Sequence, residues 1–293
     1  MDTSAVILLV LLLGTLNTVQ CQYEETKSAD FEGSSPIDNI PEEEKYTVSA
    51  LIERANKNAG QELDDPEIIE GDIAVDTGFQ NAAPCTSRRF FSCKWPRSRD
   101  GLVYVPYVIS SQYSSREKAT IVKAMDSFAN ATCIRFRPRK RRIFFKDRHY
   151  LNIESNTGCW SYVGRRRGRQ VVSLARRGCV YHQVIQHELL HALGFHHEQA
   201  RSDRDMNIRI LYENIIRGKE SNFEKIKTNN LGTPYDYGSV MHYSRYAFSR
   251  NGQPTMVPIP NANVAIGRAT QMSSWDIARI NRLYKCSQRS YSE

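Results

Sequence analysis

The apolar positions of this chain fall into three regimes. Residues 6–13 are an unbroken run of Val, Ile and Leu closed by Gly14, the length of a secretory leader core and too short to span a bilayer. Val19 and Cys21 are small enough for the −3 and −1 positions of a cleavage site, so 1–21 reads as a signal peptide. From 22 to 80 apolar residues are sparse, and the one helix expected lies around 48–58. From 81 onward the pattern becomes periodic. Residues 102–109 read as a strand, with Pro106 pointing to an edge or irregular position. Ser114 with Glu117 three residues on is a capping box, and Ile121, Ala124, Met125 and Phe128 stripe a helix reaching Asn130. Segments 133–136, 143–145, 150–153 and 171–174 are short, β-branched and aromatic, and predict strands of one twisted sheet separated by basic turns. A last helix is expected over 274–284, with Ile277, Ile280 and Tyr284 facing inward.

Composition narrows the class. Of 293 residues, 40% are hydrophobic and 25% charged, which excludes disorder, collagen and a multi-span membrane protein. The net charge of +8 conceals a division: residues 22–80 hold 16 acidic and 4 basic side chains, net −12, and residues 81–293 hold 15 and 36, net +21. Cysteines, aromatics and arginines become frequent past Asn81, so a processing boundary is expected near Gln80/Asn81. The acidic stretch then reads as a pro-segment held to a basic body by attraction that salt weakens; the alternative is a solvated acidic tail. Cleavage after Cys21 leaves six cysteines, Cys85, Cys93, Cys133, Cys159, Cys179 and Cys286, a disulfide framework for an oxidising compartment with fifteen pairings open. Asn130 begins the one N-glycosylation sequon.

The chemistry sits in His187-Glu188-Leu189-Leu190-His191-Ala192-Leu193-Gly194-Phe195-His196-His197. On a helix, His187 and His191 are one turn apart and share a face, so both imidazoles reach one ion, while Glu188 addresses a water there. Gly194 can take the left-handed conformation that ends the helix and brings His197 round as third ligand of one Zn²⁺. Three neutral imidazoles leave a position for a water whose pKa zinc lowers, with Glu188 as base. Five fixed residues at this spacing arise by chance on the order of 10⁻⁵ times per chain. His149, His182 and His196 read as packing or surface residues.

The stretch 187–205 and the sequence Ser239-Val240-Met241-His242-Tyr243 resemble the extended signature and methionine turn of the astacins, a family of metzincin zinc peptidases. The start Asn81-Ala82-Ala83-Pro84-Cys85 with Cys93 is similar to the fish hatching-enzyme subgroup. The resemblance implies an α+β fold of two lobes. The upper lobe has a twisted sheet and two long helices, the lower is irregular and ends in a helix, and zinc lies in the cleft between them. It implies His187, His191 and His197 as ligands, Glu188 as general base, Met241 as a floor beneath the metal and Tyr243 as an oxyanion donor. It implies Glu198 as partner of the N-terminus freed at Asn81. Glu70-Gly71-Asp72-Ile73 resembles the family's inhibitory signature, with Asp72 on the zinc in the latent form and Ile69 where the family has an aromatic. It also implies pairings of Cys133 with Cys286, Cys159 with Cys179 and Cys85 with Cys93, the first closing a long loop for about 4 to 5 kcal/mol.

These readings describe a secreted zinc endopeptidase made as a zymogen, with 1–21 as signal, 22–80 as acidic inhibitory propeptide and 81–293 as catalytic domain, stored in secretory granules or released outside the cell. Its partners are its own propeptide, an activating protease, and protein or peptide substrates, including an acidic extracellular matrix or egg coat. Arg139–142, Arg165, Arg166, Arg167 and Arg169 provide the attraction for acidic substrate, or else a solvated face. In astacins, residues matching 160–164 line the cleft as an edge strand to which an extended peptide pairs. Neither nucleic acid nor membrane is expected as a partner. The competing class is a catalytically silent basic matrix-binding protein on the same fold.

Overall fold

The computed structural model describes residues 39–61, 65–76, 93–142 and 145–287. The expected signal peptide, the junction at Gln80/Asn81 and Cys85 lie outside the described residues. In chain order the elements are α1 (Val48–Ala55), β1 (Glu67–Ile69), β2 (Ile73–Val75), β3 (Val103–Ile109), α2 (Ser115–Ala131), β4 (Ile134–Pro138), β5 (Arg141–Arg142), β6 (Phe145–Lys146), β7 (Tyr150–Glu154), β8 (Cys159–Ser161), β9 (Arg169–Leu174), α3 (His182–Ala192), β10 (Ile208–Ile210), β11 (Met256–Pro258) and α4 (Ser274–Tyr284).

A seven-stranded sheet runs in the order β1-β2-β8-β9-β7-β3-β4. Its centre, β9-β7-β3-β4, is parallel, while β8 is antiparallel to β9. Parallel strands need cover on both faces, and Val103, Val105, Leu151, Ile153, Val172 and Leu174 are all fully buried. The capping box forms as read: the Ser114 side chain accepts from Glu117 N, the Glu117 carboxylate accepts from Ser114 N, and Ile121, Ala124, Met125 and Phe128 turn inward from α2.

Two strand expectations need correction. β3 is not an edge strand; it lies between β4 and β7, but β7 joins only from Tyr107 onward, so Pro106 removes no bond to that neighbour. The strand expected at 143–145 is not part of the main sheet. Asp147 takes both guanidinium nitrogens of Arg137, at 2.8 and 2.7 Å, and the Lys140 N–H at 2.8 Å. That clamp turns the basic segment back on itself, and β5 pairs with β6 alone; Ile143 lies outside the described residues.

Helix α3 is buried from Val184 through Ala192, its apolar residues packed in the core and its Gln186, His187, Glu188 and His191 buried with them. Leu189 and Leu190 anchor it, and truncating either to alanine costs about 2–5 kcal/mol. A second apolar cluster, built on Phe223, Phe248, Met256, Ile208 and Ile266, forms the lower lobe. Helix α4 is capped by Ser273 and Asp276, with Ile280 and Tyr284 buried and Ile277 half-buried. Disulfides Cys133–Cys286 and Cys159–Cys179 form as the resemblance implied, and Cys93 is disulfide-bonded.

The acidic N-terminal segment is part of this fold. Val48, Leu51 and Ile52 of α1 belong to the same core cluster as Trp95, Leu189 and Leu190. Strands β1 and β2 make a hairpin whose second strand pairs in parallel with β8 at Ile73↔Ser161. Buried Glu44 takes Arg268 Nε at 2.9 Å, an acid of this segment on a base of the body.

Candidate metal and catalytic site

Gly194 ends α3 as its sequence position required. It sits at φ +104°, its N–H donates to His191 O at 2.8 Å, and the Phe195 N–H donates to Leu190 O at 3.1 Å. A left-handed residue there lets the chain reverse. Trp95 Nε1 and the Tyr284 hydroxyl cover the carbonyls of Ala192 and Leu193, at 3.0 and 2.8 Å.

The reversal brings His197 to the face already shared by His187 and His191. The His187 Nε2 is 3.1 Å from that of His191 and 3.2 Å from that of His197. Each outer nitrogen donates: His187 Nδ1 to Val240 O at 2.8 Å, His191 Nδ1 to Phe195 O at 2.7 Å and His197 Nδ1 to the Glu70 carboxylate at 3.1 Å. Carbonyls only accept, so the ring protons of His187 and His191 sit on Nδ1 and their Nε2 lone pairs point inward. Asp72 completes the cluster, its Oδ2 3.0 Å from His187 Nε2 and its Oδ1 3.4 and 3.1 Å from His191 and His197. Among the described residues these four side chains are the one group whose ligand atoms lie within 4.8 Å of one another, and all are buried. Facing lone pairs repel unless a cation lies between them, and tetrahedral zinc at 2.0–2.1 Å from nitrogen sets ligands about 3.3 Å apart. The donor set fits zinc.

Beside the triad both Glu188 oxygens are buried and, among the described residues, unpartnered. Burial pushes that carboxyl well above its ordinary value, with the Asp72 charge adding to the effect. Burial opposes the Asp72 carboxylate too, but the histidines hold it well below the usual range. Glu70 behaves alike: burial opposes ionisation, while bonds from His196 and His197 hold it at about 2. His196 is therefore not a plain surface residue, its Nδ1 lying 3.4 Å from Glu70. His149 is structural, accepting from the Gly168 N–H at 2.8 Å, and half-buried His182 opens α3.

Met241 is buried in the turn whose Val240 carbonyl accepts from His187 Nδ1, and Asp276 holds that turn by accepting from Ser239 Oγ at 2.6 Å and Val240 N at 2.9 Å. Tyr243 packs on His197, ring centroids 4.7 Å apart, and donates its hydroxyl to Glu70 O. Glu198 takes Arg279 at 2.6 and 2.8 Å, Arg201 at 3.3 Å and Asp236 N at 2.7 Å, so its charge is already met by two arginines; Asn81 lies outside the described residues. Asn130 is exposed near the end of α2, with Thr132 Oγ1 donating to Phe128 O at 2.6 Å.

Sequence reasoning missed the rest of the N-terminal segment's grip. Asn56 pairs edge-on with Cys159 of β8, accepting from its N–H at 2.6 Å and donating to its carbonyl at 2.7 Å, as a neighbouring strand does. Ser49 Oγ accepts from Ser244 N and Glu53 from Phe248 N, both at 2.9 Å. Gly71 sits at φ +82°, where a Cβ would lie 2.8 Å from Phe248 and 3.2 Å from the Tyr243 hydroxyl.

A three-histidine zinc site built on a helix that ends at a glycine, with an adjacent buried glutamate and a buried methionine in the turn bonded to His187, defines a metallopeptidase of the metzincin kind. Residues 92–285 match the model of the astacin peptidase family, and the chain belongs to that family. It is 48% identical over 282 residues to the low choriolytic enzyme of Oryzias latipes, covering 96% of this chain and 98% of that one. To high choriolytic enzyme 1 of the same fish it is 50% identical over 240 residues, 82% and 84% of the two chains. The solved structure of that protein, described as a hatching enzyme zinc-protease, superposes with TM-score 0.64 at 53% identity over 67% of this chain and 96% of its own. The chain is an astacin-type zinc endopeptidase, resembling the hatching enzymes, that acts on protein substrates.

Proposed function

We propose that the chain is the zymogen of a secreted endopeptidase, with residues 22–80 as an inhibitory pro-segment removed near Gln80/Asn81 and structural proteins of an extracellular coat, such as an egg envelope, as substrates. The observation that carries latency is Asp72, whose carboxylate stands against all three inward nitrogens while Asn56 and the Asp72 carbonyl take the free groups of β8. The likeness to choriolytic enzymes supports the substrate class, and the disulfides and the 6–13 run support secretion.

His187, His191 and His197 would hold the metal. Bound zinc supplies Lewis acidity that lowers the pKa of a water toward neutrality. Glu188, desolvated and free of protein partners among the described residues, takes the proton of the attacking water and passes it to the leaving amine. Departure of Glu70 releases the Tyr243 hydroxyl to donate to the oxyanion as it develops. A substrate strand takes the edge groups of Cys159 and Ser161 that the pro-segment occupies.

Hydrolysis of a quenched peptide by the uncut chain, the chain trimmed to Asn81, a trimmed Glu188→Ala variant and an uncut Asp72→Ala variant, with zinc measured in each, tests this reading. Expected are a silent uncut chain, an active trimmed one, loss of turnover with zinc retained in Glu188→Ala, and partial release in Asp72→Ala. An uncut chain as active as the trimmed one would overturn latency.

A further inference from the structure

Of the basic run at 165–169, two arginines have partners that separate their roles. Arg169 pairs with Glu154 at 2.5 Å, within the body of the protein. Arg166 points the other way, to Asp76 of the N-terminal segment. Its guanidinium lies over the Tyr162 ring at 3.9 Å from the centroid, and Tyr162 stands edge-on to Trp160. The backbone beneath is fixed: Arg166 N donates to Gln170 Oε1, Gln170 Nε2 to Gly164 O, and Gly164 N to His191 O, each at 2.8 Å. Buried Gln170 therefore ties this loop to the end of the helix that carries two zinc ligands. Tyr162, Gln170 and the loop all belong to the body, so the platform outlasts removal of the segment.

Asp76 reaches it along a defined path. Asp72 stands at the histidines, its carbonyl accepts from Ser161 N at 3.0 Å, β2 pairs with β8, and Asp76 follows directly. Four extended residues place its carboxylate about 13 Å along the cleft from the zinc position.

We propose that Arg166 on Tyr162 is a specificity subsite for an Asp or Glu side chain of the substrate, about four residues from the scissile bond, and that Asp76 occupies it in the uncut chain. This rests on the inhibitory reading of residues 22–80. A planar guanidinium stacked on an aromatic ring keeps its donors in plane for a carboxylate and loses little freedom on pairing.

The test uses the chain trimmed to Asn81, as wild type, Arg166→Ala and Arg166→Glu, on quenched peptides in which one Glu, Gln or Lys is walked over five positions on each side of the cleaved bond. Expected for wild type is a kcat/KM about 5- to 10-fold higher for Glu than for Gln at one position three to five residues from the bond, shrinking as salt rises. The Glu-to-Gln ratio falls to about one in Arg166→Ala, and Lys becomes preferred there in Arg166→Glu. A wild type without such a position, or a ratio unchanged in Arg166→Ala, overturns the proposal. The uncut chain in the same plate separates the two readings: equal activity cut and uncut removes the inhibitory reading and the Asp76 argument with it, while a silent uncut chain with no Glu preference removes only the subsite.

Discussion

The acidic N-terminal segment contains a group whose ionisation bears on how tightly it docks. Glu53 turns its carboxylate inward on the lower lobe and accepts from Phe248 N at 2.9 Å. Burial raises its pKa from 4.5 to about 7, against the Phe248 bond and the charges of Lys219 and Arg54. In the released segment the carboxyl is exposed and returns to its ordinary value. The docked state thus holds the proton more tightly, and the contribution to docking is complete below pH 4.5 and lost as pH rises through 7. A shift of 2.5 units corresponds to about 3 kcal/mol, or roughly 300-fold in affinity, between those limits. Inhibition of the enzyme trimmed to Asn81 by a peptide of residues 39–76, as wild type and as the Glu53→Gln variant, measures it. Other titrations act on both peptides equally, so the ratio of inhibition constants isolates Glu53. That ratio should move by about 70-fold from pH 5 to pH 8, wild type weakening as pH rises. A change below about 3-fold would refute the buried-carboxyl reasoning.

Further outcomes follow from single contacts. Gly71→Ala in the uncut chain forces a side chain into the left-handed region and against Phe248 and Tyr243; the backbone term alone is about 1–2 kcal/mol, so leak hydrolysis should rise at least about 5-fold over uncut wild type. Arg279→Ala leaves Glu198 buried with Arg201 alone at 3.3 Å, and chemical denaturation of the trimmed enzyme should show a loss of about 3 kcal/mol. Replacing Cys133 and Cys286 by serine opens a loop spanning 153 residues; about 5 kcal/mol should be lost in the same assay, with no loss arguing that the open chain keeps its ends together by other contacts.

What was legible in the sequence was local. His187, Glu188, His191, Gly194 and His197 lie within eleven residues, so helical period and one glycine turn fix their geometry. The capping box read at Ser114 works over three residues and forms; a second one, at Ser273, works over the same span. Asp276 shows the limit: its role in capping α4 is a short-range pattern, but its bond to Val240 spans 36 residues and has no local signature. Asn56 on Cys159 spans 103 and Glu70 on His197 spans 127, and both depend on the N-terminal segment folding against the body. Composition showed the opposite charges of the two parts without showing which acid meets which base. The displaced strand at 143–145 failed for a related reason, since β-branched and aromatic content cannot distinguish a sheet member from a hairpin clamped outside it by Asp147.

The position of β8 within the sheet has a consequence for handling and storage. While β2 lies beside it, the exposed border is β1, three residues with Glu67 and Ile69 turned to solvent. A border so short, carrying a charge, is a poor template for another chain. Were the segment removed as proposed, β8 would become the border, and the N–H and carbonyl of Cys159 and the N–H of Ser161 would lose the partners the segment gives them. The strand proposed to receive substrate would then be equally open to a strand from a neighbouring copy. On the proposed zymogen reading, the uncut chain is thus the form less open to edge-to-edge pairing between copies, and cutting would expose the one border that substrate and a neighbouring copy compete for.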